Sequence, residues 1–179
     1  MIYGDRIRFR RDERTDIPKF VTWLNDPEVM RYLRLNLPLS QAEEETWFEK
    51  MLQLPPEEQP FAIETKVGKK WQLIGNCGFT NINKNAHSAE VGLFIGDKSF
   101  WNQGFGTQVM RLLLDVGFGT MNLNRIYLTV EEENKAGIRA YEKAGFIHEG
   151  RHRQAHYHGG RYYDVLFMSV LRSEWEKKR

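Results

Sequence analysis

Cysteine is nearly absent: Cys77 is the only one in 179 residues. One thiol cannot close an internal disulfide, and the cysteine usage gives no sign of an oxidising compartment. Charge of one sign is not in excess either. The chain sets 26 Lys and Arg against 24 Asp and Glu, a net charge of +2, too balanced to suggest a nucleic-acid or membrane partner. Long apolar runs are missing. None approaches the roughly 18 residues of a membrane span, and the opening "MIYGDRIRFRR" has no apolar core of a signal peptide. A cytoplasmic protein is therefore expected. Repeats, low-complexity stretches and linkers are also lacking, so residues 1–179 are read as a single domain. What is present, 41% hydrophobic and 28% charged residues, suits a globular protein large enough to bury a core.

The first strand is "RIRFR", where Ile7 and Phe9 alternate with arginines. Thr15 or Asp16 can cap the helix that follows, with Pro18 in its first turn and Phe20, Val21, Trp23 and Leu24 as its apolar face, until "NDP" at 25–27 breaks it. The string "SQAE" from Ser40 to Glu43 is a capping box. It opens a helix whose expected buried stripe is Trp47, Phe48, Met51 and Leu52, ended by Pro55-Pro56. Residues 61–65 and 71–82 read as a hairpin, and "SAEVGLFIG" at 88–96 as a third strand. Val109, Met110, Leu112, Leu113 and Val116 then keep helical spacing. The strand "RIYLTVE" (125–131) shows little polar alternation, as for a position covered on both faces. A helix capped by Asn134 and Gly145 and two strands joined at His158-Gly159-Gly160 complete the chain. The fold class is α+β with a mixed sheet.

Two patterns point to chemistry. In "FWNQGFGTQVM" (100–110), Gly104 and Gly106 bare the backbone just before a helix. First-turn amides lack intrahelical partners and sit at the positive end of the helix dipole, so such a loop can cradle a phosphate; it can equally be a plain turn. Neither the nucleotide P-loop string nor a third glycine at Val109, as a dinucleotide fingerprint needs, is present. In "NKAGIRAYEKAGF", Asn134 and Tyr141 lie seven residues apart, on one helix face. A polar cap and a phenol there can both address a ligand, or serve only as cap and packing.

The succession "AEVGLFIGDKSFWNQGFGTQVMRLLLDVGF" and "LNRIYLTVEEENKAGIRAYEKAGF", with "WLNDPEVMRYL" before it, resembles the GNAT superfamily of N-acetyltransferases over almost the whole chain. The likeness is greatest to the branch of ribosomal-protein N-terminal acetyltransferases and spermidine acetyltransferase. The resemblance implies a sheet flanked by helices, mostly antiparallel, with splayed central strands forming a slot for acetyl-CoA. It implies that the pyrophosphate rests on an Arg/Gln-x-x-Gly-x-Gly/Ala loop, here Gly104 and Gly106 with Gln103, Phe105 and Thr107 supplying neighbouring amides. The Arg/Gln position is Trp101, a departure from the pattern. An amide near Phe94 or Ile95 would polarise the thioester carbonyl. Asn134 matches a cofactor-bonding position, Tyr141 the proton donor to the leaving thiolate, and Glu90 the general base of some members.

The implied reaction is transfer of acetyl from acetyl-CoA to a primary amine by direct attack. The acceptor is a protein N-terminus or a small molecule such as a polyamine or amino sugar, and a homodimer fits the family. No covalent intermediate is expected, since Cys77 lies outside these motifs. The competing reading is a non-catalytic acyl-CoA-binding module for sensing or assembly. His148, His152, His156 and His158 crowd into 11 residues. The first three, spaced by four, would converge on a helix but not on a strand, and no cysteine or carboxylate cluster completes a set, so no metal is expected. The arginines of "RIRFRR" are read as a solvated edge, and Glu43 to Glu45 as a helix's acidic first turn or an attraction for a polycation.

Overall fold

The computed structural model describes residues 1–33 and 37–177. Strands β1 (Ile2–Tyr3) and β2 (Ile7–Arg11) precede a 3-10 turn at Arg14–Asp16 and helices α1 (Ile17–Leu24), α2 (Pro27–Met30) and α3 (Gln41–Met51). Then come β3 (Phe61–Val67), β4 (Lys70–Asn83), β5 (Ser88–Ile95), α4 (Phe105–Gly119), β6 (Arg125–Glu131), α5 (Lys135–Ala144), β7 (Ile147–His158), β8 (Arg161–Leu171) and α6 (Arg172–Glu176). The strands follow the order β1-β2-β3-β4-β5-β6-β8-β7. Strands β5 and β6 pair in parallel, whereas β1/β2, β2/β3, β3/β4, β6/β8 and β7/β8 are antiparallel. This is the expected mixed, mostly antiparallel sheet with helices.

Contacts group the chain into two compact units, residues 1–78 with 93–105 and residues 79–92 with 106–179. In the first, Phe20, Ala62 and Leu73 form a buried cluster with Trp23, Leu24 and Phe94 against it, and Ile17, Phe48 and Met51 form another. Helix α3 turns Glu44, Phe48 and Met51 inward, while Trp47 and Leu52, expected in its buried stripe, are 42% and 45% exposed. The spacing 44, 48, 51 centres the buried face, and both residues flank it. In the second unit, Val109, Met110, Leu112, Leu113 and Val116 of α4 are all buried, as their period predicts. Strand β6 buries Ile126, Leu128 and Val130 and half-buries Tyr127 and Thr129.

One expectation about charge is corrected and another is met. Strand β2 is no solvated edge, because it lies between β1 and β3. Arg8 Nε donates to Glu64 Oε2 at 2.6 Å and Arg10 Nε to Glu64 Oε1 at 2.9 Å, while Arg10 also grips both oxygens of Asp16 at 2.6 and 2.7 Å. Ion pairs this well enclosed fix local geometry, because losing one partner would strand a desolvated charge. The same contact turns the Asp16 carboxylate away from capping α1. The acidic residues of α3 do fall in its first turn, as one of the two readings had it. Glu43 closes the capping box, accepting from Ser40 N at 2.8 Å, and Glu44 is buried, which raises its pKa.

Candidate active site

The glycine loop is held from several sides within the first unit. Arg6 donates to the Gln103 carbonyl at 3.1 Å and lies over the Phe105 ring at 4.2 Å. Phe100 meets that ring edge-on at 5.5 Å, and Gln103 Nε2 donates to the Ser99 carbonyl at 2.5 Å. Gly104 has φ +82°, the left-handed region that suits glycine. The side chains of Gln103 and Phe105 are thus spent on the scaffold, leaving the backbone as the loop's exposed chemistry. Trp101, at the departing position, donates Nε1–H to the Ile95 carbonyl at 2.7 Å. A side chain that could have faced a ligand instead fastens the end of β5.

That end is fixed elsewhere too. The Phe94 ring meets Phe20 at 6.2 Å, and the Gly96 amide donates to the Ile74 carbonyl at 2.9 Å. The β5/β6 register covers Ser88↔Arg125, Ala89↔Ile126 and Glu90↔Tyr127, although both strands run further. Pairing therefore ends at Glu90, and beyond it Gly92 is exposed, with no atom within 4 Å of where a Cβ would stand. Glu90, at the parting point, is half-buried and accepts from Asn81 Nδ2 at 2.7 Å and Thr129 Oγ1 at 3.2 Å.

In the second unit the start of α4 and the middle of α5 touch. Thr107 Oγ1 donates to the Ala140 carbonyl at 3.3 Å, and a Cβ on Gly106 would meet only the Ala140 Cβ, at 3.7 Å. Packing therefore leaves room for alanine at 106. Next to Ala140 stands Tyr141, half-buried with its ring 6.2 Å from Phe146. Burial pushes its phenol up to about 12, so it holds its proton across the whole neutral range. Asn134 caps α5, its Oδ1 accepting from the Gly137 amide at 2.9 Å, and its own amide donates to the Glu131 carbonyl at 3.0 Å.

The same strand end gives two of the histidines a carboxylate partner that their spacing did not announce. His148 meets Glu142 Oε1 at 3.0 Å, and His152 packs on Phe167 at 4.3 Å. His156 and His158, however, both contact one buried carboxylate, Glu131, supplied by β6. Spacing within the histidine run could not reveal a partner 25 residues upstream. Sequence reasoning also missed Arg6, whose place in an alternating strand marks only an outward residue.

Residues 6–147 match the Acetyltransferase (GNAT) domain family. The chain belongs to that family. The uncharacterized N-acetyltransferase p20 of Bacillus licheniformis is 32% identical over 176 residues, 97% of each chain. The putative ribosomal N-acetyltransferase YdaF of Bacillus subtilis is 30% identical over 117 residues, 65% of this chain and 63% of its own. Among solved structures, a spermidine N-acetyltransferase from Vibrio cholerae in complex with CoA and spermine superposes with a TM-score of 0.88 and 29% identity, covering 97% of this chain and 99% of that one. The protein is an N-acetyltransferase that uses acetyl-CoA and acetylates an amine. Among the described residues, no helix is long and apolar enough to cross a membrane.

Proposed function

We propose that one N-acetyltransferase domain spanning residues 1–179 moves acetyl from acetyl-CoA to a primary amine of a polyamine-like small molecule, by direct attack. Tyr141 carries this reading: a phenol that is protonated at neutral pH by its ordinary value and more firmly so here, on the helix that α4 touches at Ala140. In the reaction the neutral amine nitrogen bonds to the thioester carbonyl carbon. Collapse of the tetrahedral intermediate breaks the C–S bond, and Tyr141 gives its proton to the departing sulfur. The amine's surplus proton leaves to Glu90, directly or through water. The amides from Gln103 to Thr107 hold the pyrophosphate, with the dipole of α4 behind them, and Asn134 bonds the cofactor. An amide at Phe94 or Ile95 steadies the oxyanion. Cys77 is buried and its thiol is pushed well up by burial, which suits a route without an acetyl-enzyme.

Support for a polyamine acceptor comes from the full-length likeness to the spermidine enzyme bound to CoA and spermine. The likeness to YdaF favours a second reading, a ribosomal-protein N-terminus. Acetylation rates on spermidine, spermine, amino sugars and N-terminal peptides, with products identified by mass, separate the two. Preference for a polyamine is expected; turnover confined to peptides would replace the first reading with the second.

A further inference from the structure

Glu131, His156 and His158 lie outside the machinery assigned above, and their donor atoms fall within 4.8 Å of one another. The topology explains how they meet. Strand β8 lies between β6 and β7, with Glu131 opposite Val165 and His156 opposite Tyr163. Val165 and Tyr163 are two apart on β8, and His156 and His158 two apart on β7, so all these side chains rise from one face of the sheet. The carboxylate reaches across β8 to the two imidazoles. His158 Nε2 stands 3.1 Å from Glu131 Oε2, and His156 Nδ1 contacts Oε1. The His158 ring is stacked on Tyr163, with centroids 4.2 Å apart and planes 11° from parallel, which fixes the direction of its nitrogen.

Glu131 is 6% exposed, whereas both histidines are only partly buried, so the cluster has a protected floor and an open side. Two imidazoles and one carboxylate form a borderline-soft N/O donor set, suited to zinc rather than magnesium or calcium. Tetrahedral zinc with bonds of about 2.0–2.2 Å separates its donors by roughly 3.4 Å. The His158–Glu131 spacing is already near that figure, and a solvent molecule can fill the fourth position on the open side.

We propose that Glu131 Oε, His156 Nδ1 and His158 Nε2 form a binding site for a divalent transition metal of the zinc class. The ion ties the tip of the β7–β8 hairpin to the end of β6, three residues before Asn134. The site stands independently of the acceptor chosen above.

The test is equilibrium dialysis of the tag-free, full-length protein against ZnCl2, with bound metal measured by mass spectrometry and folding checked by circular dichroism. About one zinc per chain is expected, with affinity reduced at least about tenfold in His156→Gln and in His158→Gln, since even outer-shell losses reach that size. His148→Gln, whose ring faces Glu142, leaves zinc affinity unchanged and controls for loose surface histidines. No stoichiometric zinc at neutral pH, or binding that neither His156→Gln nor His158→Gln weakens, overturns the site.

Discussion

At the residue scale, the account turns on side chains whose surroundings fix one protonation state or one direction. Burial pushes Tyr141 up to about 12. The group acts as an acid while protonated, so its contribution is present at every pH below that value and lost only as the pH rises through it. The attacking amine behaves oppositely, becoming competent as it loses a proton. Between pH 6 and pH 10 the rate should therefore rise or level off, with no falling limb from the acid, as a kcat/KM profile against pH will show. Tyr141→Phe removes only the proton. It should lower kcat by about 100-fold or more, the ordinary size of general-acid catalysis, while acetyl-CoA affinity from calorimetry stays nearly unchanged. Arg6 acts without being a ligand. Removing its hydrogen bond to Gln103 and its cover over Phe105 loosens the loop, so Arg6→Ala should raise the KM for acetyl-CoA more than it lowers kcat. The stability loss should be about 1 kcal/mol by urea unfolding, in line with an exposed cation–π contact plus one hydrogen bond.

At the element scale, the glycine loop and the β2–β4 region separate function from stability in opposite ways. Gly106 faces only the Ala140 methyl at 3.7 Å, so the fold does not require glycine there. Gly106→Ala should stabilise the protein by about 0.5–1 kcal/mol through helix propensity. Gly106→Leu should weaken acetyl-CoA binding by about tenfold or more, the worth of one amide bond to a charged phosphate. Thermal unfolding and calorimetry on the two variants separate these effects. Where β2 ends, Asp12 is 5% exposed and accepts from Asn76 Nδ2 on both oxygens, at 2.9 Å each. Burial raises its pKa from 3.8 to about 7, opposed by the Asn76 hydrogen bond and helped by the nearby Asp16. A value raised in the folded state gives stability that is full below pH 4 and lost as the pH rises through 7. Above that the charge is a cost, on the order of 1–4 kcal/mol. Asp12→Asn should therefore raise Tm by several degrees at pH 8 and by almost nothing at pH 4. Helices α4 and α5 and the β3/β4 hairpin could be read from the sequence because period and caps are local signals. The buried partners of Arg8 and Arg10 could not: Glu64 is 56 and 54 residues away from them, and only the strand order brings it alongside.

At the scale of the whole molecule, the family resemblance carried by the succession of motifs was enough to expect an acetyltransferase, and the family match and the structural likeness over 97% of the chain agree. Less legible was where spare polar groups would gather. The histidine run looked idle because its carboxylate lies on another strand, and Trp101 looked like a lost ligand contact until its indole was seen to hold the Ile95 carbonyl. The first depends on strand register across 25 residues, and the second on how the chain turns within six residues after β5, neither of which one sequence displays. The central claim is that acetyl passes straight from CoA to the amine, with no enzyme-bound acetyl between. Stopped-flow thiol detection, mixing the enzyme at substrate-like concentration with acetyl-CoA with and without spermidine, tests it most directly. The account predicts free CoA thiol only when the amine is present, in step with acetylated product. A burst of thiol approaching one per chain in the absence of any amine would contradict it.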